Sequence, residues 1–285
     1  MKALVTGAGG QVGEALLALA PGGWSTTGLT RTELDITDAE AVRQAFAAAV
    51  PDIVFNAAAY NAVDRADEDS ARAFAVNAEG VAHLAQAARE AGARLVHISS
   101  DYVFDGEVST PYAPDARRDP LSAYGRSKAA GEDAAGTDAL VVRTSWVYAA
   151  GHANFVTTML RLMRERDELA VVADQTGAPT WATGLARTLW GLALKGAQGT
   201  WHHRDAGQAT WHEFAVAIGE QAKELGLIAK QIPIRAVTTA EYGAKAQRPA
   251  FSLLDDAATR AFLGDSVPDW RDNLRAMLRE EKARG

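Results

Sequence analysis

The chain has 285 residues, of which 48% are hydrophobic, and its formal net charge is -7. This length suits one large α/β domain or two smaller domains that share a core. Because no basic stretch offsets the acidic balance, the composition argues against a nucleic-acid partner. No apolar run reaches the length of a membrane span, the first residues lead into a predicted strand rather than a signal peptide, and the absence of cysteine excludes disulfides and thiolate metal sites. We therefore expect a cytoplasmic protein with no membrane partner.

Short apolar runs alternate with longer amphipathic stretches through the first half of the chain, which is typical of βα units around a parallel sheet. Strands are predicted over residues 2–6, 24–29, 52–56, 94–99 and 139–143. Helices are predicted over residues 11–19, 39–49, 70–91 and 124–134. Beyond about Ser145 the alternation becomes irregular, and we expect helices over 154–164, 181–194, 213–226 and 269–282, with one strand over 169–172.

This order predicts a Rossmann-type, doubly wound parallel sheet with a smaller C-terminal α/β lobe that covers the carboxyl edge of the sheet. Residues 1–145 would form the domain that binds NAD(P), with a return segment near 178–197. Residues 146–285 would form mainly the lobe that binds the substrate.

A glycine-rich turn follows the first predicted strand and opens a helix. Gly7, Gly10 and Gly13 have the spacing G-x-x-G-x-x-G, which is looser than the G-x-G-x-x-G of two-domain dehydrogenases. Glycine permits a tight turn and a close backbone approach, and the N-terminus of the helix attracts a pyrophosphate. The alternative is a turn that only packs, but its position directly after strand one favours a dinucleotide site.

The segment after strand two bears on the choice between NAD and NADP. An acid normally binds the ribose 2′-hydroxyl there, whereas this chain has Arg31, which suits a 2′-phosphate unless it is simply solvated. Asp35 and Ile36 follow on the adenine side. Strand three ends in Asn56 and the small residues Ala57, Ala58 and Ala59, which fit either a cofactor lying against the sheet edge or a close crossover. We expect NADPH, with NADH as the open alternative.

Tyr124 and Lys128 are four residues apart on a predicted helix, so the two side chains share one face. An ammonium beside a phenol lowers the phenol pKa, which makes Tyr124 a candidate for proton transfer. Upstream, an apolar strand ends in two hydroxyls, and Ser100 could donate to a ketone oxygen at the ligand crevice. Two serines after a strand are more often a turn, but coupled to Tyr124 and Lys128 they favour a nicotinamide-dependent carbonyl reductase.

These motifs resemble the extended short-chain dehydrogenase/reductases, and among them the dTDP-4-dehydrorhamnose reductases. The similarity runs almost end to end, through residues 10–13, 34–38, 51–60, 62–64, 100–106, 124–128, 143–148 and 154–156, and continues around residues 174–180, 248–249 and 254–255. The Ser-Tyr-Lys arrangement is shared by many reductases. The blocks at residues 100–106 and 143–148 are far more specific.

The resemblance implies an oxidoreductase that uses NADPH to reduce the C4 ketone of dTDP-4-dehydro-L-rhamnose, the last step of dTDP-L-rhamnose synthesis. Tyr124 would protonate the C4 oxygen, Ser100 would polarise the ketone, and Lys128 would hold the nicotinamide ribose. Asp101 would lie at the sugar and Trp146 would line its pocket. The remaining implied cofactor contacts are Gly10, Gln11 and Val12 at the pyrophosphate, Asp35 and Ile36 at the adenosine, and Ala57, Ala58 and Ala59 at the midsection.

Two positions depart from the family pattern. Ser100 stands where many members have threonine, which keeps the hydroxyl, and Asn61 stands where threonine is usual, so the local sugar contacts would differ. The tail at residues 279–285 offers no secure metal site. The sequence therefore gives no support for Mg²⁺ and leaves open the homodimer that some relatives form around it.

Several conspicuous side chains have structural alternatives. Adjacent residues on a strand point to opposite faces, so we interpret His202 and His203 as packing residues rather than a metal pair. Trp181, Trp190 and Trp211 lie on or beside predicted helices and are expected in the core. Arg248, a lone arginine before a proline, is a candidate clamp for a diphosphate.

Two other functions remain open at this point. A nucleotide-sugar epimerase or dehydratase of the same superfamily would use the same Tyr-Lys pair but retain and regenerate NAD. A regulatory subunit similar to the beta subunit of methionine adenosyltransferase would not need catalysis, and the intact Ser100, Tyr124 and Lys128 disfavour it.

Overall fold

The computed structural model describes residues 1–244 and 246–284. Its first half alternates strands and helices: β1 (Lys2–Thr6), α1 (Gln11–Ala18), β2 (Ser25–Leu29), α2 (Ala39–Ala49), β3 (Ile53–Asn56), α3 (Val63–Ala66), α4 (Ser70–Phe74), α5 (Gly80–Ala91), β4 (Arg94–Ser100), α6 (Ala123–Ala135) and β5 (Leu140–Thr144). Its second half contains β6 (Val147–Tyr148), α7 (Phe155–Glu165), β7 (Leu169–Val172), β8 (Thr176–Gly177), β9 (Thr180–Trp181), α8 (Ala182–Leu194), β10 (Gly199–His202), β11 (Ala209–Thr210), α9 (Trp211–Glu224), β12 (Ile234–Val237), α10 (Thr239–Tyr242), α11 (Ala257–Leu263) and α12 (Trp270–Arg284).

Six parallel strands form the main sheet in the order β10-β5-β4-β3-β1-β2. Because successive strand residues point to opposite faces, Val5 and Phe55 pack with α1 and α8 on one side. Leu4 and Val54 pack with α2 and α5 on the other side. Helices therefore cover both faces, and the prediction of a doubly wound parallel sheet is confirmed.

The edge strand β10 was not among the predicted elements. Its sequence from Gly199 to His202 has no apolar run, and pairing with its neighbour β5 holds it in the sheet. The chain reaches this edge by returning through α8, which packs against α1.

The helix predicted over residues 70–91 contains a π-helical turn over Ala75–Glu79 between α4 and α5. Asn77, in this turn, is buried, and its amide donates to the Tyr60 carbonyl (3.1 Å) and to the Ser127 hydroxyl (3.0 Å). The same side chain accepts from the Tyr60 N–H (2.9 Å). One amide thus joins the loop after β3 to α6.

The second lobe has its own core around Phe214 and Trp270, formed by α7, α9 and α12. Trp181 packs in this core, and Trp190 packs beside Phe55 under the main sheet. The expectation that these two tryptophans are core residues is confirmed. No helix of the described residues is both long and apolar enough to cross a membrane.

Candidate active site

A groove of about 840 Å³ lies along the carboxyl edge of the main sheet. Its lining includes predicted cofactor residues from three separate turns: Gly7, Gly10, Arg31, Asp35, Ile36, Ala57, Ala58 and Ala59. Gly7 adopts φ +66, and a Cβ there would lie 2.6 Å from the Ala58 nitrogen. A Cβ on Gly13 would collide with the Gly7 carbonyl oxygen. Only glycine permits this turn, which leaves its backbone open to a dinucleotide.

The first turn of α1 presents backbone rather than side chains to the groove. The N-cap residue Gly10 supplies no side-chain cap, so the first N–H groups of α1 are available to a pyrophosphate. The amide of Gln11 turns to the second lobe, where it donates to the Val147 carbonyl (3.5 Å) and accepts from Asn154 (3.0 Å). Val12 packs against the core under the sheet.

The end of the groove at Arg31 and Asp35, predicted to hold the adenosine, is more charged than the motifs suggested. Arg65 and Arg72 line it together with the exposed Arg31. Hydrogen bonds from Thr37 hold the pKa of Asp35 below its ordinary value, and Arg72 approaches the same carboxylate at 3.6 Å. Sequence reasoning missed Arg65 and Arg72, because they come from the short helices α3 and α4, which carry no recognised motif.

The structure brings the three predicted catalytic side chains into one buried site. Ser100 ends β4, and Tyr124 and Lys128 lie on α6, whose first turn is capped by Ser122. Lys128 donates from Nζ to the Ile98 carbonyl (2.6 Å). Tyr124 packs in a small cluster with Tyr60, which lines the groove, and with Tyr102, whose ring meets Tyr124 edge to face at 5.5 Å.

The predicted lowering of the Tyr124 pKa is wrong for this site. Burial raises the pKa of the phenol, the nearby Ser100 hydroxyl offsets part of that rise, and the Asp101 carboxyl adds to it. Burial also lowers the pKa of Lys128 to about 8, against the opposing effect of Glu132. Tyr124 is therefore held in its protonated form, which suits a proton donor.

Ser100 and Asp101 form a hydrogen-bonded pair beside Tyr124. The Ser100 hydroxyl donates to Asp101 Oδ1 (2.9 Å) and accepts from the Tyr102 N–H (3.1 Å). Burial raises the pKa of Asp101 to about 6, although the hydroxyls of Ser252 and Ser100 stabilise its ionised form.

A buried ion pair fixes α6 to the sheet. Arg143 of β5 donates from Nε to Glu132 Oε1 (2.8 Å) and from Nη2 to Oε2 (2.7 Å). Burial alone would raise the pKa of Glu132, but the hydrogen bonds and charge of Arg143 hold it below its ordinary value. Glu132 lies one turn beyond Lys128, so this pair sets the position of the catalytic face. The resemblance covered Arg143 but gave it no role.

Tyr102 also lines a second cavity, of about 710 Å³. Aliphatic and aromatic side chains of α7, β7 and α9 form its walls, including Phe155, Met159 and Trp211. Three arginines, Arg166, Arg235 and Arg248, also line it. An apolar cleft with a few charged groups is the usual form of a small-molecule site.

Trp146 and Trp211 stack at a ring-centroid distance of 3.6 Å. Trp146, predicted to line the substrate pocket, is half-buried and adopts φ +48 just after β5. The expectation that Trp211 belongs to the core is wrong, because it is half-buried and faces the cavity. It begins α9 directly after a capping threonine, Thr210, and that position turns it to the lobe surface.

Arg248 lines the cavity and reaches a residue of the first lobe. Its guanidinium donates to both carboxylate oxygens of Asp64, at 2.8 and 2.9 Å. Asn61, the residue that departs from the family pattern, lines the groove three residues before Asp64. The predicted diphosphate clamp is therefore positioned by an aspartate that sequence reasoning did not single out.

His202 and His203 are both buried and have different partners. His202 Nε2 lies 3.3 Å from Arg143 Nη1, and His203 Nδ1 lies 3.0 Å from the Thr188 hydroxyl. Within residues 1–244 and 246–284, no three His, Asp or Glu side chains converge as a metal site. Their contacts are those of packing residues.

Comparisons with known proteins extend the family resemblance of the sequence motifs to nearly the whole chain. Residues 1–283 match the family model described as the RmlD substrate binding domain. The dTDP-4-dehydrorhamnose reductase of Burkholderia thailandensis is 45% identical over 289 residues, which cover 95% of this chain and 96% of the relative. The chain belongs to the dTDP-4-dehydrorhamnose reductase family.

A solved member of the dTDP-4-dehydrorhamnose reductase family shares the whole architecture. The crystal structure of the Bacillus anthracis enzyme in complex with NADP superposes with a TM-score of 0.92 at 35% identity, covering 98% of this chain and 99% of that one. A dTDP-4-keto-6-deoxy-D-glucose reductase of Streptomyces niveus is 42% identical over 217 residues, which cover 74% of this chain and 75% of the relative. The resemblance inferred from the motifs is thereby confirmed, and the chain is an oxidoreductase.

Proposed function

We propose that this protein reduces the C4 ketone of dTDP-4-dehydro-L-rhamnose to dTDP-L-rhamnose with NADPH. The position of Tyr124 carries the proposal. Its ring packs between Tyr60, which lines the glycine-walled groove, and Tyr102, which lines the cavity with three arginines. A proton donor at the junction of a dinucleotide groove and a nucleotide-sugar cavity is the arrangement that a carbonyl reductase needs.

The groove residues fit a nicotinamide dinucleotide. The turn at Gly7 and Gly13 has no room for a Cβ, and the uncapped first turn of α1 offers N–H groups to the pyrophosphate. Gln11 and Val12 would contribute backbone there, while Ala57, Ala58 and Ala59 would lie along the cofactor midsection. When bound, the reduced nicotinamide supplies the hydride. Arg31 and the NADP of the Bacillus anthracis relative favour NADPH over NADH.

The buried residues would supply and recover the proton. Burial keeps Tyr124 protonated, so its hydroxyl can donate to the C4 oxygen as charge develops there. Lys128, whose pKa is lowered to about 8 by burial, is suited to return a proton to the phenolate and to hold the nicotinamide ribose. Ser100 would polarise the ketone from the end of β4.

The cavity would bind the dTDP portion of the substrate. Planar guanidinium groups pair well with phosphate oxygens, and Arg166, Arg235 and Arg248 line one cleft with Phe155 and Trp211. Trp146 would form part of the sugar wall through its stack with Trp211. In this proposal residues 1–145 with the return near 178–197 bind the cofactor, and the rest of 146–285 binds mainly the substrate.

An assay of NADPH oxidation with the keto-sugar tests the proposal. Wild-type protein is incubated with dTDP-4-dehydro-L-rhamnose and NADPH, with NADH in parallel, and the product sugar is identified by NMR. Tyr124→Phe serves as the control. We expect rapid oxidation of NADPH, slower oxidation of NADH and formation of dTDP-L-rhamnose, all lost in the control.

The Streptomyces niveus relative makes dTDP-4-keto-6-deoxy-D-glucose a second candidate substrate, to be assayed alongside the first. A higher kcat/KM with that sugar would replace the proposed substrate while keeping the reaction. Tightly retained NAD with no net cofactor oxidation would point instead to an epimerase or dehydratase. Binding of a partner protein without turnover of either sugar would point to a regulatory subunit.

A further inference from the structure

The single proton of the Ser100 hydroxyl is already used within the protein. Ser100 Oγ donates to Asp101 Oδ1 at 2.9 Å and accepts from the Tyr102 N–H at 3.1 Å. A hydroxyl has one hydrogen to donate and two lone pairs to accept with. While it donates to Asp101, Ser100 therefore has no hydrogen left for a ketone.

The surroundings of Asp101 make its neutral form accessible. The side chain is 1% exposed. Tyr124 of α6 and Tyr102 of its own turn face it, and Ser252 approaches from the C-terminal segment. The nearest cations have other partners, since Lys128 donates to the Ile98 carbonyl and Arg248 binds Asp64. Burial without a paired cation disfavours the carboxylate.

We propose that Asp101 is a positioning residue whose protonation turns the Ser100 hydroxyl from the carboxylate to the substrate ketone. This inference rests on the proposed reductase function. A neutral Asp101 donates its own proton to Ser100 Oγ, which still accepts from the Tyr102 N–H. The Ser100 hydrogen is then free for the C4 oxygen, and the ketone receives hydrogen bonds from Ser100 and Tyr124 together.

Charge acts in the same direction as this rearrangement. Hydride arrival places negative charge on the C4 oxygen, and an ionised Asp101 next to Ser100 would repel it. Because the pKa of Asp101 is raised to about 6, the neutral form predominates below that pH and is lost as pH rises. Binding of the anionic substrate excludes water and brings negative charge near Asp101, which favours the neutral form of Asp101 further. Reduction should therefore slow as pH rises through the neutral range.

The test is the pH profile of kcat for keto-sugar reduction, measured as initial rates between about pH 5 and about pH 8 under saturating NADPH. Loss of one well-placed donor to a developing oxyanion costs about 10²–10³-fold, so we expect the wild-type kcat to fall about tenfold or more across this range. Asp101→Asn cannot titrate, and its amide can still donate to Ser100. Whatever its absolute rate, we expect the kcat of Asp101→Asn to change less than about threefold across the range.

Two substitutions at Ser100 provide matched controls. Ser100→Thr retains the hydroxyl and should retain the wild-type pH dependence. Ser100→Ala should lower kcat and flatten the profile, and adding Asp101→Asn to it should cause little further loss, because both changes act through one hydroxyl. These variants also keep the proposal testable if Asp101→Asn does not fold.

A direct readout is the infrared carboxyl band of the protein without substrate, recorded as a function of pH. We expect a buried carboxylic acid that ionises near pH 6 and is missing from Asp101→Asn. The inference is overturned if Asp101→Asn keeps the wild-type pH slope, if the infrared band of a buried acid is the same in Asp101→Asn as in the wild type, or if Ser100→Ala keeps the slope. Failure of the wild type to reduce either keto-sugar at any pH would instead reject the proposed function.

Discussion

The groove at the carboxyl edge of the main sheet and the cavity lined by Tyr102 are built in different ways. The part of the groove beside β1 and β3 is made largely of backbone, since Gly7, Gly10 and Ala57 to Ala59 lie in the turns after these two strands. The cavity is made of side chains from segments as distant as Tyr102 and Arg248. A backbone site needs small residues at fixed offsets, which leaves a local signature in the sequence. A site made of side chains needs only that distant segments of the chain meet in the fold. It therefore leaves no local signature in the sequence.

The strongest test of this comparison lies where the two sites join. Tyr124→Phe removes the phenolic proton but keeps the ring between Tyr60 and Tyr102. We expect kcat to fall about 10²–10⁴-fold, the usual contribution of a general acid. NADPH binding and the melting temperature should change little. A loss below tenfold in steady-state kinetics would reject the proposed role, and a matching fall in NADPH affinity would mean that the ring, not the proton, matters.

Gly13→Ala should disrupt the groove alone. The added methyl group would collide with the Gly7 carbonyl oxygen, so the turn must open. We expect NADPH affinity, measured by fluorescence titration, to fall about 10²-fold or more, equivalent to about 2.7 kcal/mol. Binding of dTDP in the cavity should persist. Gly22→Ala is the control, because a Cβ there meets nothing within 4 Å. Normal NADPH binding by Gly13→Ala would show that the turn does not touch the cofactor.

Arg31→Ala tests the choice of cofactor within the groove. If Arg31 pairs with the 2′-phosphate, NADPH affinity should fall by one to two decades, since charge-assisted pairs contribute about 1.5–3 kcal/mol. NADH affinity should be nearly unchanged. Arg43→Ala, which removes an equal charge from the exposed face of α2, controls for the general electrostatic field. An equal loss for both cofactors would assign Arg31 a structural role.

Trp146→Ala tests whether the stacked pair of Trp146 and Trp211 contributes to sugar binding in the cavity. Loss of its stack with Trp211 should cost about 0.5–1.5 kcal/mol of stability. The KM for the keto-sugar should rise about tenfold, equivalent to about 1.4 kcal/mol, with NADPH binding unchanged. The core residue Trp190 provides the contrast, because Trp190→Ala should cost about 3–5 kcal/mol in a chemical denaturation experiment. Similar destabilisation by both substitutions would place Trp146 in the core.

The same contrast explains which parts of the protein could be predicted. The strands and helices that were predicted within residues 1–145 lie within two residues of their predicted bounds, apart from the π-helical turn inside the helix over 70–91, because most of the buried parallel strands are nearly continuous apolar runs. The short helix α3 was not predicted. The short strands β6, β8, β9 and β11 were missed, since two-residue pairings have no periodicity. Asp64 and Arg72 were also missed as site residues. Asp64 acquires its role from Arg248, which is far along the chain, and Arg72 acquires its role from Asp35, which lies on another segment.

The electrostatics of the site depended on burial, which the sequence does not contain. Four-residue spacing places Tyr124 and Lys128 on one face of α6, but Lys128 donates to the Ile98 carbonyl and the Tyr124 ring is enclosed. Burial has the largest effect on the phenol, the Ser100 hydroxyl offsets only part of it, and the pKa of Tyr124 rises instead of falling. The four-residue spacing alone predicted that Tyr124 and Lys128 share one face of α6. It did not predict that burial would decide the direction in which the pKa of Tyr124 shifts.

Asn77 also sets a limit on how this enzyme can be recombined. One amide side chain satisfies both the N–H and the carbonyl of Tyr60 and reaches Ser127 as well. The loop after β3 is therefore not an independent module. A chimaera that imports this loop without the matching π-helical turn would lose the hydrogen bonds that Asn77 makes with the N–H and carbonyl of Tyr60. The smallest exchangeable unit at this part of the groove is the loop after β3 together with the π-helical turn that holds it.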